Sequence, residues 1–448
     1  MAKDKYTYLT TYPIPKAIAT LSIPTIISML VTSLYNIADT FFVGRINTQA
    51  TAAVGIAFSI MSVIQAIGFF FGHGSGNFIS RKLGARDKAS AEKMASIGFF
   101  YAFIVGTLIA VIGWIFLTDL VLLLGATPTI QPYAERFIGI ILIGSPFMTS
   151  SLVLNNQMRF QGNATYAMVG IVTGVILNII LEPIFIFVLG WGISGAAAAT
   201  VICQFISFIL LLYMDSKGEN LRISFHHFRI SRFHIQEIIR GGIPSLSRQG
   251  LASLATALLN MSAGIYGDAA IAGMSIVTRY CFFLFSILIG FGQGFQPVCG
   301  FNYGAGLYSR VREGFWFCVR WGSIFLLLCS IIGYWYAPEI IRFFRNDQEV
   351  VTIGANALRW QLIVFPLNAW ILVSNMMLQT IRKSGRATLL ASGRQGLFFI
   401  PLIFILPYFL GLSGVEMCQA AADLLTFFLA VPITWSVLKE LHVPDIIR

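Results

Sequence analysis

One pattern is written twice along this 448-residue chain, at an offset near 220. Pro24 pairs with Pro244, and the run Ala50–Ile56 pairs with Ala270–Ile276. Gly72-His73-Gly74 pairs with Gly292-Gln293-Gly294, Gly84-Ala85 with Gly304-Ala305, and Ser145-Pro146-Phe147 with Phe365-Pro366-Leu367. With small slips in spacing, Gly162-Asn163-Ala164-Thr165 aligns with Gly385-Arg386-Ala387-Thr388, and Gly192-Ile193-Ser194-Gly195 with Gly411-Leu412-Ser413-Gly414. A chain made of two equivalent halves has a natural cleft between them, and secondary transporters are commonly built this way.

The repeat is strongly apolar. Hydrophobic residues make up 57% of the chain and charged residues only 11%, with a mean hydropathy of +0.79. So few charges cannot keep the surface of a large soluble protein wet, and apolar runs of about 20 residues mark membrane-spanning helices. Twelve spans are expected, near 16–43, 50–78, 94–118, 133–158, 165–189, 193–214, 237–265, 270–300, 315–337, 352–380, 388–410 and 413–437. The fold class is therefore all-α and polytopic, two six-helix bundles related by pseudo-two-fold symmetry along the membrane normal. The expected domains are an N-terminal lobe over 1–214, a polar linker over 215–236 and a C-terminal lobe over 237–448. The first apolar stretch, Ile14 to Val43, is too long for the core of a cleavable signal.

The net charge of +11 follows topology here. Lysine and arginine gather before span 1, between spans 2 and 3 (Arg81, Lys82, Arg86, Lys88, Lys93), in the linker (Lys217, Arg222, Arg229, Arg232), and after spans 8 and 10. The opposite loops offer Arg45, Arg342 and Arg345. The first set is expected to be cytoplasmic, with both termini inside a multi-pass cell membrane protein. No nucleic-acid motif accompanies the charge. The six cysteines lie in apolar segments without a CxxC or His/Cys grouping and read as packing residues. Neither a nucleotide-binding loop nor a hydrolase motif occurs, so no cofactor and no enzyme activity are expected.

Ionisable residues at membrane depth are costly and mark function. Asp39 in span 1, Glu182 in span 5 and Asp423 in span 12 are the interior acids. Tyr35 and Asp39 are four apart and share a helix face, as do Asn178 and Glu182. Thr200 follows the small-residue run Gly195–Ala199, where helices approach closely. The repeat places Leu259 opposite Asp39 and Ile405 opposite Glu182, so the carboxylates belong to the first half alone. Two neighbouring carboxylates in a low-dielectric site cannot both ionise cheaply. The pair should hold a proton or a Na⁺, the metal set being Asp39, Asn178, Glu182 and Thr200, with Tyr35 alongside. Pro24 removes a backbone bond inside span 1 and is the expected hinge. The second half carries interior cations, Arg248, Arg279 and Arg394, one of them expected to neutralise Asp423. Arg248, Gln249 and Asn36 are the candidates for lining a substrate cleft. His73 reads as a packed, hydrogen-bonded residue.

YNIADTFFVG in span 1, NIILEPIFIF in span 5, GISGAAAAT entering span 6 and QGFQPVCGFNYGAG ending span 8 resemble the multidrug and toxic compound extrusion (MATE) transporters, over almost the whole chain. GIPSLSRQ and NYGAG look most like the MepA-type bacterial branch. The resemblance implies two bundles in a V and export of small organic, often cationic and aromatic drugs against inward H⁺ or Na⁺, by a protein expected to be monomeric. It also implies a coupling site at the positions of Asp39, Asn178, Glu182 and Thr200. Glu182 stands where the family usually has Asp. Arg248 stands near a position where the Na⁺-coupled branch carries Glu, which favours coupling through the first half. A lipid-linked precursor flippase, another small-metabolite exporter of the superfamily and a channel are the competing readings.

Overall fold

The computed structural model describes residues 5–217, 220–229 and 231–441, leaving the side chains of Asn36, Ile37 and Thr40 outside the described set. The described residues are almost entirely helical and contain no strand. The long helices are α1 (Ile14–Gly44), α2 (Thr48–Gly84), α3 (Lys88–Ile115), α4 (Gln131–Phe160), α5 (Ala164–Pro183), α6 (Gly192–Asp215), α7 (Arg232–Gly264) and α8 (Asp268–Gly304). They are followed by α9 (Tyr308–Trp335), α10 (Gln348–Thr380), α11 (Ser384–Leu410) and α12 (Leu412–Glu440). Eleven of these are long and apolar enough to cross a membrane. The other is α7, 33 residues long, whose polar stretch Ser245–Gln249 lowers its apolar character.

The repeat is visible in the backbone. α2 and α8 are each 37 residues long and begin and end 220 residues apart, at Thr48 and Gly84 against Asp268 and Gly304. Short helices, Leu117–Leu123 and Ala337–Phe344, follow α3 and α9 at the same offset. Left-handed turn residues recur too. Arg86 (φ 59°) matches Gly306 (φ 77°), and Gly162 (φ 85°) matches Arg382 (φ 70°). Glycine takes this conformation freely, whereas arginine must be held there. In each half the helix that follows starts after such a turn, at Lys88, Tyr308, Ala164 and Ser384.

One side-chain clamp is also duplicated. Asn155 Nδ2 donates to the Ala167 carbonyl at 2.8 Å, and Asn375 Nδ2 to the Ala387 carbonyl at 2.6 Å. The offset therefore stays at 220 through the α4–α5 and α10–α11 turns, without the slip expected at Gly385. It grows later, because α11 contains a π-turn over Gly393–Leu397. Gly195 abuts Phe185 and its mate Gly414 abuts Leu406, an offset of 221 on the fifth and eleventh helices. Glu182 accordingly pairs with buried Ile403, not with Ile405. The second half stays apolar at this position either way.

The residues fall into two compact units, Ile27–Leu246 and a second made of Met1–Ile26 with Ser247–Arg448. The repeat divides the chain at the linker, but these boundaries lie inside α1 and α7. Each comes two residues after a proline, Pro24 in one case and Pro244 in the other. In the unit containing the C-terminus, Ser22 Oγ donates to the Phe291 carbonyl at 3.1 Å and Thr25 Oγ1 to the Gly290 carbonyl at 2.6 Å, fixing the first half of α1 against α8. In the other unit, Gly241 and Gly242 on α7 press against Gly74 and Phe70 of α2.

Each unit has its own apolar interior. That of 27–246 includes Phe137, Ile138, Leu142 and Ile64, and that of the other unit includes Phe365, Phe399, Leu358 and Leu288. Large apolar side chains also cover the outside, again in repeat pairs: Ile115 (68% exposed) with Trp335 (75%), and Leu123 (84%) with Phe343 (86%). So much exposed apolar surface is stable only against lipid.

Candidate functional site

The acids predicted in the first half meet within the unit 27–246. Beyond Pro24, α1 presents Tyr35 and Asp39 one turn apart, both partly exposed. On α5, Asn178 and Glu182 share a face at i, i+4 and both are buried, Glu182 to 0% exposure. α5 ends immediately afterwards at Pro183, and the chain continues as a π-turn over Ile184–Val188. This break holds Glu182 at the end of a regular helix. α5 and α6 approach closely because Gly170 and Gly174 face Leu211 and Ser207, and Ser207 Oγ donates to the Gly170 carbonyl at 2.9 Å.

Asn178 joins the two helices. In the orientation that satisfies both ends of its amide, its nitrogen donates to Glu182 Oε2 at 3.0 Å and its oxygen accepts from the Thr200 backbone N–H at 3.3 Å. Thr200 Oγ1 donates to the Ala196 carbonyl at 3.1 Å and is a near neighbour of the Tyr35 hydroxyl. The Asp39 and Glu182 carboxyls are within hydrogen-bonding reach of each other. Glu182 Oε1 has no hydrogen-bond partner among the described residues.

These observations define what the cluster can hold. Two ionised carboxylates both accept and neither donates, so their contact requires a proton or a metal cation between them. A buried acceptor without a donor is costly, and Glu182 Oε1 is such an acceptor. Asp39 is partly exposed and offers the approach, while Glu182 forms the closed end. All five residues predicted for coupling, Tyr35, Asp39, Asn178, Glu182 and Thr200, are thus in one place.

The other predictions divide. Pro24 lies inside α1, two residues before a unit boundary. Arg394 neutralises Asp423: its Nε donates to Oδ1 at 2.8 Å, and the guanidinium lies 4.4 Å from the centroid of the Phe285 ring. Asn368 (2.9 Å) and Gln419 (2.7 Å) also donate to Asp423, which is 0% exposed. Gln419 was legible in the sequence, four residues before Asp423 and at the repeat position of Thr200. Asn368 gave no such signal. Arg279, expected to be interior, is exposed, because its position on α8 faces away from the core. Arg248 bonds Asn375 Oδ1 at 3.1 Å, and Gln249 is partly exposed. The Asn36 side chain lies outside the described residues. His73 is buried, with Nδ1 3.2 Å from the Phe69 carbonyl and Nε2 3.3 Å from Arg159, as expected of a packed histidine.

The MatE family model matches this chain twice, over residues 24–184 and 244–405, once in each repeat. The chain is 28% identical to the multidrug export protein MepA of Staphylococcus haemolyticus (strain JCSC1435), over 99% of this chain and 98% of that one. It is 25% identical to the multidrug export protein MepA of Staphylococcus aureus (strain MSSA476), over 96% and 97%. Among solved structures it is similar to an outward-facing multidrug resistance MATE family transporter of the MOP superfamily. The TM-score is 0.92 at 25% identity, with 98% of this chain and 99% of that one covered.

Proposed function

Because this chain belongs to the MATE family of membrane transporters, we propose that it is a multidrug exporter that couples outward movement of small organic compounds to inward movement of H⁺ or Na⁺ by alternating access. The compounds are organic molecules, often cationic and aromatic. Near full-length similarity to MepA proteins supports the substrate class.

One observation carries the coupling: the contact between the Asp39 and Glu182 carboxyls, with Glu182 Oε1 buried and without a partner among the described residues. In the cation-loaded state a proton or Na⁺ bridges the pair. In the unloaded state the charges repel in a medium that screens them poorly. A cation that stabilises one conformation more than another shifts the balance between them, which is the requirement for coupled transport. α1 carries Asp39 beyond Pro24, and the residues before the boundary are fixed to α8 by Ser22 and Thr25. A bend at Pro24 therefore moves the segment that bears the ion-binding carboxylate. The charge asymmetry of the loops supports cytoplasmic termini in a plasma membrane protein.

Proteoliposomes with imposed gradients provide the test. An inward proton gradient in the absence of Na⁺ should drive export of an aromatic cation such as ethidium. Strict dependence on Na⁺ would keep the site and exchange the ion. Transport indifferent to both gradients would refute the coupling.

A further inference from the structure

Among the partly buried arginines of the C-terminal unit, Arg394 and Arg248 differ in their partners. Arg394 has Asp423. Arg248, on α7, has a single hydrogen bond, from Nη1 to Asn375 Oδ1 at 3.1 Å, and no ion pair among the described residues. A guanidinium keeps its proton and presents five N–H donors, and most of those of Arg248 have no hydrogen-bond partner among the described residues. Arg248 lies in the polar stretch Ser245–Gln249 of α7, and an ionisable residue at membrane depth without a counter-charge marks function.

The fold does not require this charge. The amide that holds Arg248 is the duplicated clamp: Asn375 Nδ2 is fixed to the Ala387 carbonyl at 2.6 Å, which turns its oxygen toward the guanidinium. The same clamp in the first half, Asn155 to Ala167, forms where the repeat position of Arg248 is Ser28, an uncharged residue. Arg248 is therefore an addition to a scaffold that closes without it. It is held by one amide, and its partial exposure leaves the remaining donors accessible.

We propose that Arg248 is a selectivity-determining residue that pairs with a carboxylate on the transported compound and so sets a preference for an acid over its uncharged ester. The planar fork of the guanidinium matches a carboxylate in two parallel hydrogen bonds. The carboxylate neutralises a charge that the protein leaves open. This assignment rests on the reading of the chain as a drug exporter and adds a selectivity that export of simple cations does not require.

The test compares a fluoroquinolone acid, its methyl ester and ethidium for binding to the purified full-length protein in anionic-lipid-free nanodiscs. Wild type should bind the acid more tightly than the ester by roughly tenfold, the size of one charge-assisted pair in a partly desolvated site. Arg248→Gln, which can still donate to Asn375, should bring the acid-to-ester ratio close to one, and Arg248→Lys should retain part of it. A ratio near one in wild type would overturn the proposal, as would equal weakening of acid and ester in Arg248→Gln. Loss of the acid's advantage when phosphatidylglycerol is added would assign the guanidinium to lipid phosphate and overturn it as well. Ethidium separates the two readings. Binding of ethidium alongside a flat acid-to-ester ratio refutes only the role of Arg248, whereas failure to bind any of the three compounds refutes the exporter reading.

Discussion

Glu182, wholly buried at the last regular turn of α5, meets the carboxyl of Asp39, carried on α1 beyond Pro24. One acid sits on a helix packed against α6, and the other on a helix whose two halves belong to different compact units. A charge change at this contact therefore bears on the part of α1 that follows Pro24 and the unit boundary. Asp39→Asn keeps the shape and removes the charge. Drug efflux by this variant should fall to background while its amount in the membrane matches wild type, as read by quantitative immunoblot beside an efflux assay. Wild-type efflux at normal abundance would remove Asp39 from the mechanism.

Replacement of Glu182 separates a pair from a single site. Two interacting carboxyls release protons in steps that belong to the pair. In Glu182→Gln only Asp39 remains, so the pH dependence of transport should reduce to one ionisation. Glu182→Asp, one methylene shorter, should keep the two-step form at a lower rate. A pH profile of initial efflux rates in proteoliposomes checks both outcomes. An unaltered profile in Glu182→Gln would show that the acids act independently.

Pro24 and Pro244 stand at equivalent places, each two residues before a unit boundary. Pro24→Ala restores the missing backbone donor and stiffens α1. Turnover should fall severalfold while substrate affinity changes little, and Pro244→Ala should do the same through α7. Steady-state transport and equilibrium binding measured on the same preparations distinguish a moving part from a static bend, for which neither quantity would change.

Arg394 and Asp423 make the opposite kind of site, closed on itself by Asn368 and Gln419. Removing one partner leaves a buried charge, at a typical cost of about 3–5 kcal/mol. Arg394→Met should lower the thermal midpoint in detergent clearly, and adding Asp423→Leu should recover most of the loss. Full stability in the single variant would mean that the ion pair is dispensable.

At the turn before α3, Asp87 accepts from the Ser90 N–H at 3.1 Å and from Lys82 Nζ at 2.9 Å, which hold its carboxyl down at about 2. A depressed carboxylate adds stability above its ordinary range and loses it as pH falls toward the folded value. Asp87→Ala should therefore destabilise at neutral pH by roughly 0.5–2 kcal/mol through the lost cap. Asn, itself a good cap, should recover most of that. The difference between wild type and Asp87→Asn should shrink between about pH 4 and pH 2, which a pH series of thermal melts would show.

The sequence made the repeat legible because Pro24, Gly72 and Gly84 punctuate featureless apolar helices and recur 220 residues later. The grouping of the acids was legible for a related reason: acids are rare in such helices, and i, i+4 spacing puts Tyr35 with Asp39 and Asn178 with Glu182 on common faces. Periodicity could not reach what depends on partners distant in sequence. The boundaries inside α1 and α7 arise from Ser22 and Thr25 bonding to α8, and from Gly241 and Gly242 packing on α2. The mate of Glu182 was placed two residues too far along because Gly162 was matched to Gly385, whereas the backbone keeps the offset at 220 through that turn and adds a single residue at the π-turn over Gly393–Leu397. The exposure of Arg279 was hidden because an all-apolar helix does not declare which face is lipid-facing.

Substrate-driven proton movement tests the central claim most directly. Purified wild type is reconstituted with a pH-sensitive dye inside the vesicles, and a drug gradient is imposed without a pH gradient or Na⁺. Drug flux should drive protons the opposite way in wild type, and Asp39→Asn should show no proton movement coupled to the drug. If Asp39→Asn exchanges protons for drug at the wild-type ratio, the carboxyl contact between α1 and α5 is not the coupling site.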